Sequence, residues 1–471
     1  MSLKSEEPLC CEILASRECM TGADSVGVVR RRWVHLAVVS GLFIAAMASS
    51  TNSAGAWRGV PERTTPLRSV TRSTEAAGRP TAAPTGVQAE STTQPGQLRV
   101  SFTPVPNREP GNGGASLTGH RATCRADGQN SRSATDSTRP YGPIKVSGLT
   151  AGVTYSCKVQ ALNAYGAGPA SLRATARVDP PWLTRVNQIR TGSGLRTVTA
   201  NAAWADGLQK HFIYLHRTPP SYRTGIYANA HYENPASPYY TSEGDAAGRS
   251  SNLAFGSSSD VDAINAWLTA PFHAIGILRP GLTQVGFARD ALGYVGLDVI
   301  RGLSGSSSIL SPIQFPGPGA SIDLNYFGGE SPDPTETCRN LHPGNNYNGL
   351  PIVAMLPNPP DPGIAASLVN ARGSVTTAGS GLCIVDENHY FTSDPVYGPT
   401  GRAILDGADA VLLIPRATLP TGPQTVTITQ SGQAPITWSF RVNDRRRVMA
   451  PSPQVQPIDA SSRADRAVTM S

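Results

Sequence analysis

The sequence predicts a multidomain protein: a β-sandwich, then an α+β unit, then a C-terminal β-rich region. Leu98, Val100 and Phe102 alternate with Arg99, Ser101 and Thr103, and Tyr155, Cys157, Val159 and Ala161 alternate with Ser156, Lys158 and Gln160, the period of half-buried strands. Leu183, Val186 and Ile189, then Trp204, Leu208, Phe212 and Leu215, recur instead at helical spacing. Beyond Pro312 turn residues and strand-like runs return. The 471 residues also exceed the roughly 250–300 at which one core stops growing, so several units are expected.

Composition narrows the function. Charged residues are 15% of the chain, against 47 Gly and 40 Pro, which favours short strands and turns over long charged helices. The net charge of +7 is spread out apart from Arg30-Arg31-Arg32 and Arg445-Arg446-Arg447, so no basic face of the nucleic-acid kind is present and no nucleic-acid partner is expected. Arg30-Arg31-Arg32, the apolar run Val34–Ala48 and Ala54-Gly55-Ala56 follow the order of an export signal, over residues 1–56. The run is shorter than the roughly 20 residues of a spanning helix, so cleavage before Trp57 and no permanent span are expected. The polar stretch Met1–Val29 reads as an extension upstream of the native leader.

Four cysteines follow the leader: Cys124, Cys157, Cys338 and Cys383. In an oxidising compartment they allow three connectivities, of which the simplest pairs neighbours in sequence, Cys124 with Cys157 and Cys338 with Cys383. Residues 57–83 are rich in Ser, Thr, Arg, Pro and Ala and read as a flexible linker. The first module spans 84–178. There, Leu149-Thr150-Ala151-Gly152-Val153-Thr154-Tyr155 and Ala161-Leu162-Asn163-Ala164-Tyr165-Gly166 resemble the tyrosine corner and following turn of fibronectin type III modules. In that arrangement the Tyr155 hydroxyl satisfies backbone upstream. Phe102 stands where the family usually has tryptophan, and most such modules lack the cysteine pair. Asp179-Pro180-Pro181 ends the module.

In residues 183–310 Asn201 reads as the cap of the helix carrying the Trp204–Leu215 stripe, a second helix starts near Ser259, and Thr283–Ala288 reads as a short strand. Two segments resemble the CAP superfamily (cysteine-rich secretory proteins, antigen 5, pathogenesis-related proteins), in its bacterial members. One is Asn265-Ala266-Trp267-Leu268-Thr269-Ala270-Pro271-Phe272-His273 with Ile277-Leu278-Arg279-Pro280 and Val285-Gly286-Phe287. The other is Ala230-His231-Tyr232-Glu233, Glu243-Gly244 and Ser251-Asn252-Leu253, with Val186-Asn187-Gln188-Ile189-Arg190 as the opening. The resemblance implies an α-β-α sandwich with a cleft lined by His231, Glu243 and His273, and by Glu233 or Asp262 as a fourth member. It also implies that His231 and His273 are ligands for zinc or another divalent cation.

Plainer roles compete for each residue. Asp262, three residues after Ser259, completes a capping box. Glu233 before Asn234-Pro235 reads as a solvated loop residue, Glu243 before Gly244 as a turn cap, and His211 as an ordinary packed or half-exposed histidine. Glu330, Asp333 and Glu336 form acidic loops beside prolines, with sugar cleavage as the alternative. Gly302-Leu303-Ser304-Gly305-Ser306 misses a nucleophile elbow by one position.

Residues 312–443 resemble a small immunoglobulin-like β-sandwich at the level of pattern, with Ala410–Ile414 buried and Thr425–Thr429 paired to Ile436–Val442. Residues 444–471 read as a disordered tail. The expected protein is secreted or bound to the cell envelope, its cleft taking a lipid, glycan or peptide and its flanking sandwiches acting as spacers. The alternative is a metal-dependent hydrolase of envelope material or peptides, with Glu243 as general base.

Overall fold

The computed structural model describes residues 76–304 and 309–443. The leader, most of the 57–83 linker and the 444–471 tail lie outside the described residues.

Strands β1 (Thr85–Ser91), β2 (Leu98–Thr103), β3 (Leu117–Arg125), β4 (Arg132–Asp136), β5 (Ile144–Val146), β6 (Thr154–Asn163), β7 (Gly166–Ala170) and β8 (Ala174–Arg177) form the first module. One sheet runs β1-β2-β5, the other β4-β3-β6-β7, with β8 also on β6. Alternation along β6 buries Tyr155, Cys157 and Val159 against Leu98, Val100, Ile144 and Val146. The Tyr155 hydroxyl accepts from Thr150 N–H at 3.0 Å, which is the expected corner. Cys124 and Cys157 face each other across β3 and β6 and are bonded. The linker expectation needs correction at its end. Gly78 N–H donates to Gly113 O at 2.8 Å and the Asn163 amide to Gly78 O at 2.7 Å, so the last residues before Ala83 are pinned to the module.

The central unit comprises α1 (Pro181–Gly192), β9 (Thr199–Ala200), α2 (Ala202–Arg217), α3 (Ser242–Arg249), β10 (Ser251–Ala254), α4 (Asp260–Leu268), α5 (Pro271–Leu278), β11 (Gln284–Arg289) and β12 (Val295–Asp298). Pro181 opens α1, where a missing N–H costs nothing, and the Asn201 side chain accepts from Ala203 and Trp204 N–H at the start of α2. The sheet runs β10-β12-β11-β9. Because side chains alternate along its strands, Leu253, Ala288 and Tyr294 cluster with Leu208, Phe212 and Leu215 of α2. Ala254, Val285, Val295 and Leu297 cluster with Val186, Ile264, Trp267 and Ile275 of α1, α4 and α5. That is the expected helix–sheet–helix layering.

The C-terminal region contains β13 (Ile313–Phe315), β14 (Ser321–Ile322), α6 (Glu336–Leu341), β15 (Ile352–Met355), β16 (Ala365–Val369), β17 (Val375–Thr377), β18 (Leu382–Val385), α7 (Gly398–Ala408), β19 (Ala410–Pro415), β20 (Gly422–Thr429) and β21 (Ile436–Val442). Its sheets run β13-β15-β19-β18 and β14-β21-β20-β16-β17. Every residue of β15 and β19 is buried, the pattern of strands covered on both faces. The reason is that this region and the central unit share one continuous apolar cluster, which includes Trp267 and Ile275 together with Val353, Leu412 and Phe440. The region is therefore packed on the central unit through this cluster. Cys338 on α6 is bonded to Cys383 on β18.

Candidate functional site

Helix α5 carries His273 and is held at both ends. Its N-terminus has no side-chain cap, because Ala270 offers no oxygen and Pro271 no N–H. Glu330 fills that role from the C-terminal region: Oε1 accepts Phe272 N–H at 3.1 Å and Oε2 accepts His273 N–H at 3.4 Å. At the other end Arg190 Nη1 donates to Ile277 O at 2.7 Å and Arg279 O at 3.0 Å. An anion at the start and a cation at the end both match the helix dipole.

Glu330 also takes the His273 ring, Nδ1 lying 2.7 Å from Oε2. The carboxylate is fully buried and the imidazole 11% exposed. Burial pushes the Glu330 carboxyl up, while His273 and the two backbone donors pull it back. With Nδ1 facing the carboxylate, the lone pair of a neutral His273 ring sits on Nε2. Asn252 on β10 donates to the His273 carbonyl at 2.9 Å and ties the helix to the sheet.

His231 lies on the loop between α2 and α3. Its Nδ1 is 2.9 Å from Gly248 O, an acceptor only, so Nδ1 carries the proton and Nε2 the lone pair. Burial lowers its pKa to about 4, and the neighbouring His273 and His211 add to the effect, so the ring is neutral at pH 7. Tyr397 stands edge-on to it at 6.4 Å between ring centroids, and its hydroxyl accepts Ala230 N–H at 3.1 Å.

Behind His231 is a fully buried pair, His211 Nδ1 and Glu233 Oε1 at 2.8 Å. Glu233 Oε2 accepts Thr241 N–H at 2.9 Å, and His211 Nε2 is 2.9 Å from Ala230 O. Helix α3 reaches this pair because it presents glycine. A Cβ at Gly244 would sit 2.4 Å from Glu233 Oε1, and one at Gly248 would sit 2.4 Å from His211 Cε1.

Residues 183–292 match the family model of the cysteine-rich secretory protein family, CAP, and residues 82–177 match that of the fibronectin type III domain. The central unit is a CAP domain. No curated protein matches the chain. Among solved structures the chain is similar to the chicken CNTN1 FN1–FN3 domains, at 22% identity over 22% of this chain and 35% of that one, with a TM-score of 0.19. A structure described as a myokine matches at 17% identity over 21% of this chain and 99% of that one, TM-score 0.18. The FN5 domain of Drosophila Lar matches at 21% identity over 21% of this chain and 98% of that one, TM-score 0.17. The chain thus spans about a third of the first of these structures.

Of the residues expected in the CAP cleft, His231 and His273 are brought within electrostatic reach of each other. Glu243 is not with them. The inward face of α3 is its glycines, so Glu243 points outward, 61% exposed and 3.7 Å from Lys210 Nζ. Its own amide, Ser242 and then Lys210 hold its carboxyl below the usual range. Glu233 is fully buried, where the sequence also allowed a solvated loop residue, and His211, which reads as ordinary, is its partner. Asp262 sits at the capped start of α4 without closing a full capping box: its N–H donates to Ser259 Oγ at 3.1 Å, while its carboxylate accepts from the Ser259 and Ser258 hydroxyls at 2.7 and 2.6 Å rather than from the Ser259 N–H. Glu330, read as a solvated acidic loop residue, is instead the carboxylate of His273. Two further histidines, His216 and His389, pair with Asp290 and Asp386.

The donor set does not fit a zinc centre with three protein ligands. His231 and His273 each offer Nε2. Glu233 and Glu330 are taken up by backbone amides and imidazoles, and among the described residues no group of three or more His, Cys, Asp or Glu side chains is poised around one point. No helix among the described residues is long and apolar enough to cross a membrane.

Proposed function

We propose that this is a secreted or cell-envelope CAP-domain protein whose His231–His273 cleft binds a lipid, glycan or peptide. The observation that carries the reading is the pairing of both imidazoles through Nδ1, which leaves Nε2 of each neutral ring available to accept from a ligand's hydrogen-bond donors. The leader, the two disulfides and the fibronectin type III domain support an extracellular setting. Glycan, lipid and peptide arrays probed with the full mature chain test it. Binding that disappears in His231→Ala/His273→Ala supports the cleft, and binding unchanged in that variant removes it. Among the described residues a divalent cation would have only the two imidazoles, so elemental analysis after dialysis should find well under one equivalent of zinc.

A second reading, hydrolysis, draws on the His273–Glu330 pair, since a carboxylate-held imidazole can accept a proton at Nε2. It no longer includes Glu243, which is outside the cleft. Cleavage of peptides, peptidoglycan fragments or esters, abolished in His273→Ala and measured with and without chelator, would favour it.

A further inference from the structure

We propose that Glu330, which belongs to the chain beyond the CAP domain, is the positioning residue of the cleft, and that the C-terminal region is therefore a working wall of the site. This deepens the ligand-cleft reading and rests on it. The domain match ends at residue 292, yet the ring partner of His273 and a contact on Ala230 beside His231 come from past that point. Glu330 takes Phe272 N–H, His273 N–H and His273 Nδ1. Tyr397 takes Ala230 N–H beside His231.

The Glu330 contacts fix two things at once. They supply the cap that Ala270 and Pro271 cannot, which sets where α5 begins and so where His273 stands. They also choose which ring nitrogen bears the proton, leaving Nε2 for the cleft. The segment bearing Glu330 is itself anchored. Asp333 accepts from the Thr335 hydroxyl at 2.7 Å and from Arg339 at 2.6 Å, and Cys338 is bonded to Cys383 in the inner sheet. Tyr390 of the same region stands edge-on to Phe272 at 5.6 Å. A carboxylate placed this way, buried and with its oxygens divided between a helix start and one imidazole, fixes both the position and the ring orientation of His273.

The test is ring nitrogen NMR of histidine-labelled full mature chain at pH 7, in wild type, Glu330→Gln and Glu330→Ala, with the same variants on the arrays. Wild type should show His273 protonated at Nδ1 in a strong hydrogen bond. Glu330→Gln keeps an acceptor and the shape, so the Nδ1 proton should remain while its resonance moves as the bond loses its charge. Glu330→Ala should shift the ring toward the Nε2–H form and weaken array binding about tenfold or more, with Glu330→Gln recovering most of it. A His273 signal that is the same in all three proteins overturns the proposal, and the Gln variant alone decides this if the Ala variant fails to fold. If the ring signals change as expected but no array component binds wild type, the ligand reading fails while the positioning role of Glu330 stands.

Discussion

Replacing Arg190 by methionine removes the clamp on the C-terminal end of α5 while keeping most of the buried volume. The guanidinium is fully buried and makes four hydrogen bonds to backbone carbonyls, from Nε to Arg196 O at 2.9 Å, from Nη1 to Ile277 O and Arg279 O, and from Nη2 to Leu282 O at 3.0 Å. Bonds to a charged group contribute about 1.5–3 kcal/mol each, so the gross gain is about 6–12 kcal/mol. Burial works against it, lowering the arginine pKa to about 10. A change of that size corresponds to a cost of about 3 kcal/mol. The difference places the loss in Arg190→Met at about 3 kcal/mol or more, because the four carbonyls lose their donors and an apolar side chain replaces none of them. Urea unfolding followed by tryptophan fluorescence measures it, since Trp182 and Trp267 lie in the adjoining core. A loss under about 1 kcal/mol would refute the reasoning, as would an Arg190→Lys protein as stable as wild type, because an ammonium cannot span four carbonyls in a plane.

Gly248→Ala should destabilise the CAP domain by about 1–3 kcal/mol and disturb His231, because the new methyl meets the His211 ring whose other neighbours cannot yield; thermal unfolding and the His231 ring signals report both. Breaking Cys338–Cys383 by serine substitution should cost about 4 kcal/mol from a sequence separation of 45, and a melting temperature equal to wild type would contradict the clamp. The lowered pKa of His231, about 4, makes the unfolded chain bind more protons between that pH and about 6.5. Stability should therefore fall as pH drops through this window, by about 3 kcal/mol at most, and His231→Asn should flatten that part of the profile. Glu330, whose carboxyl is raised by burial, contributes the opposite slope, so the comparison with His231→Asn isolates the histidine.

The elements that sequence made legible are those with a local signature. Alternation gave β2 and β6, the Asn201 and Ser259 caps gave the starts of α2 and α4, and the tyrosine corner marked the turn into β6. Cys124–Cys157 and Cys338–Cys383 followed from neighbour pairing. The site was half legible. His231 and His273 carried the resemblance, but their carboxylate partners depend on contacts that no local spacing encodes. Glu330 is 57 residues from His273, and its neighbours Asp333 and Glu336 made it look like part of an acidic loop. Glu243 fitted the pattern by position, but the glycines beside it decide which face of α3 turns inward. His211 reads alone as ordinary and Glu233 as a cleft member or a solvated loop residue, and their pairing across 22 residues has no local signature. The shared core of the CAP domain and C-terminal region was also hidden, because strands buried on both faces show a continuous apolar run without naming what covers them.

The most direct measurement is a crystal structure of the mature chain grown near pH 7. The His231 and His273 rings should open on one cleft, with Nδ1 of the first on Gly248 O and Nδ1 of the second on Glu330. Rings that face opposite sides of the domain, or a Glu330 side chain turned to solvent, would contradict the account.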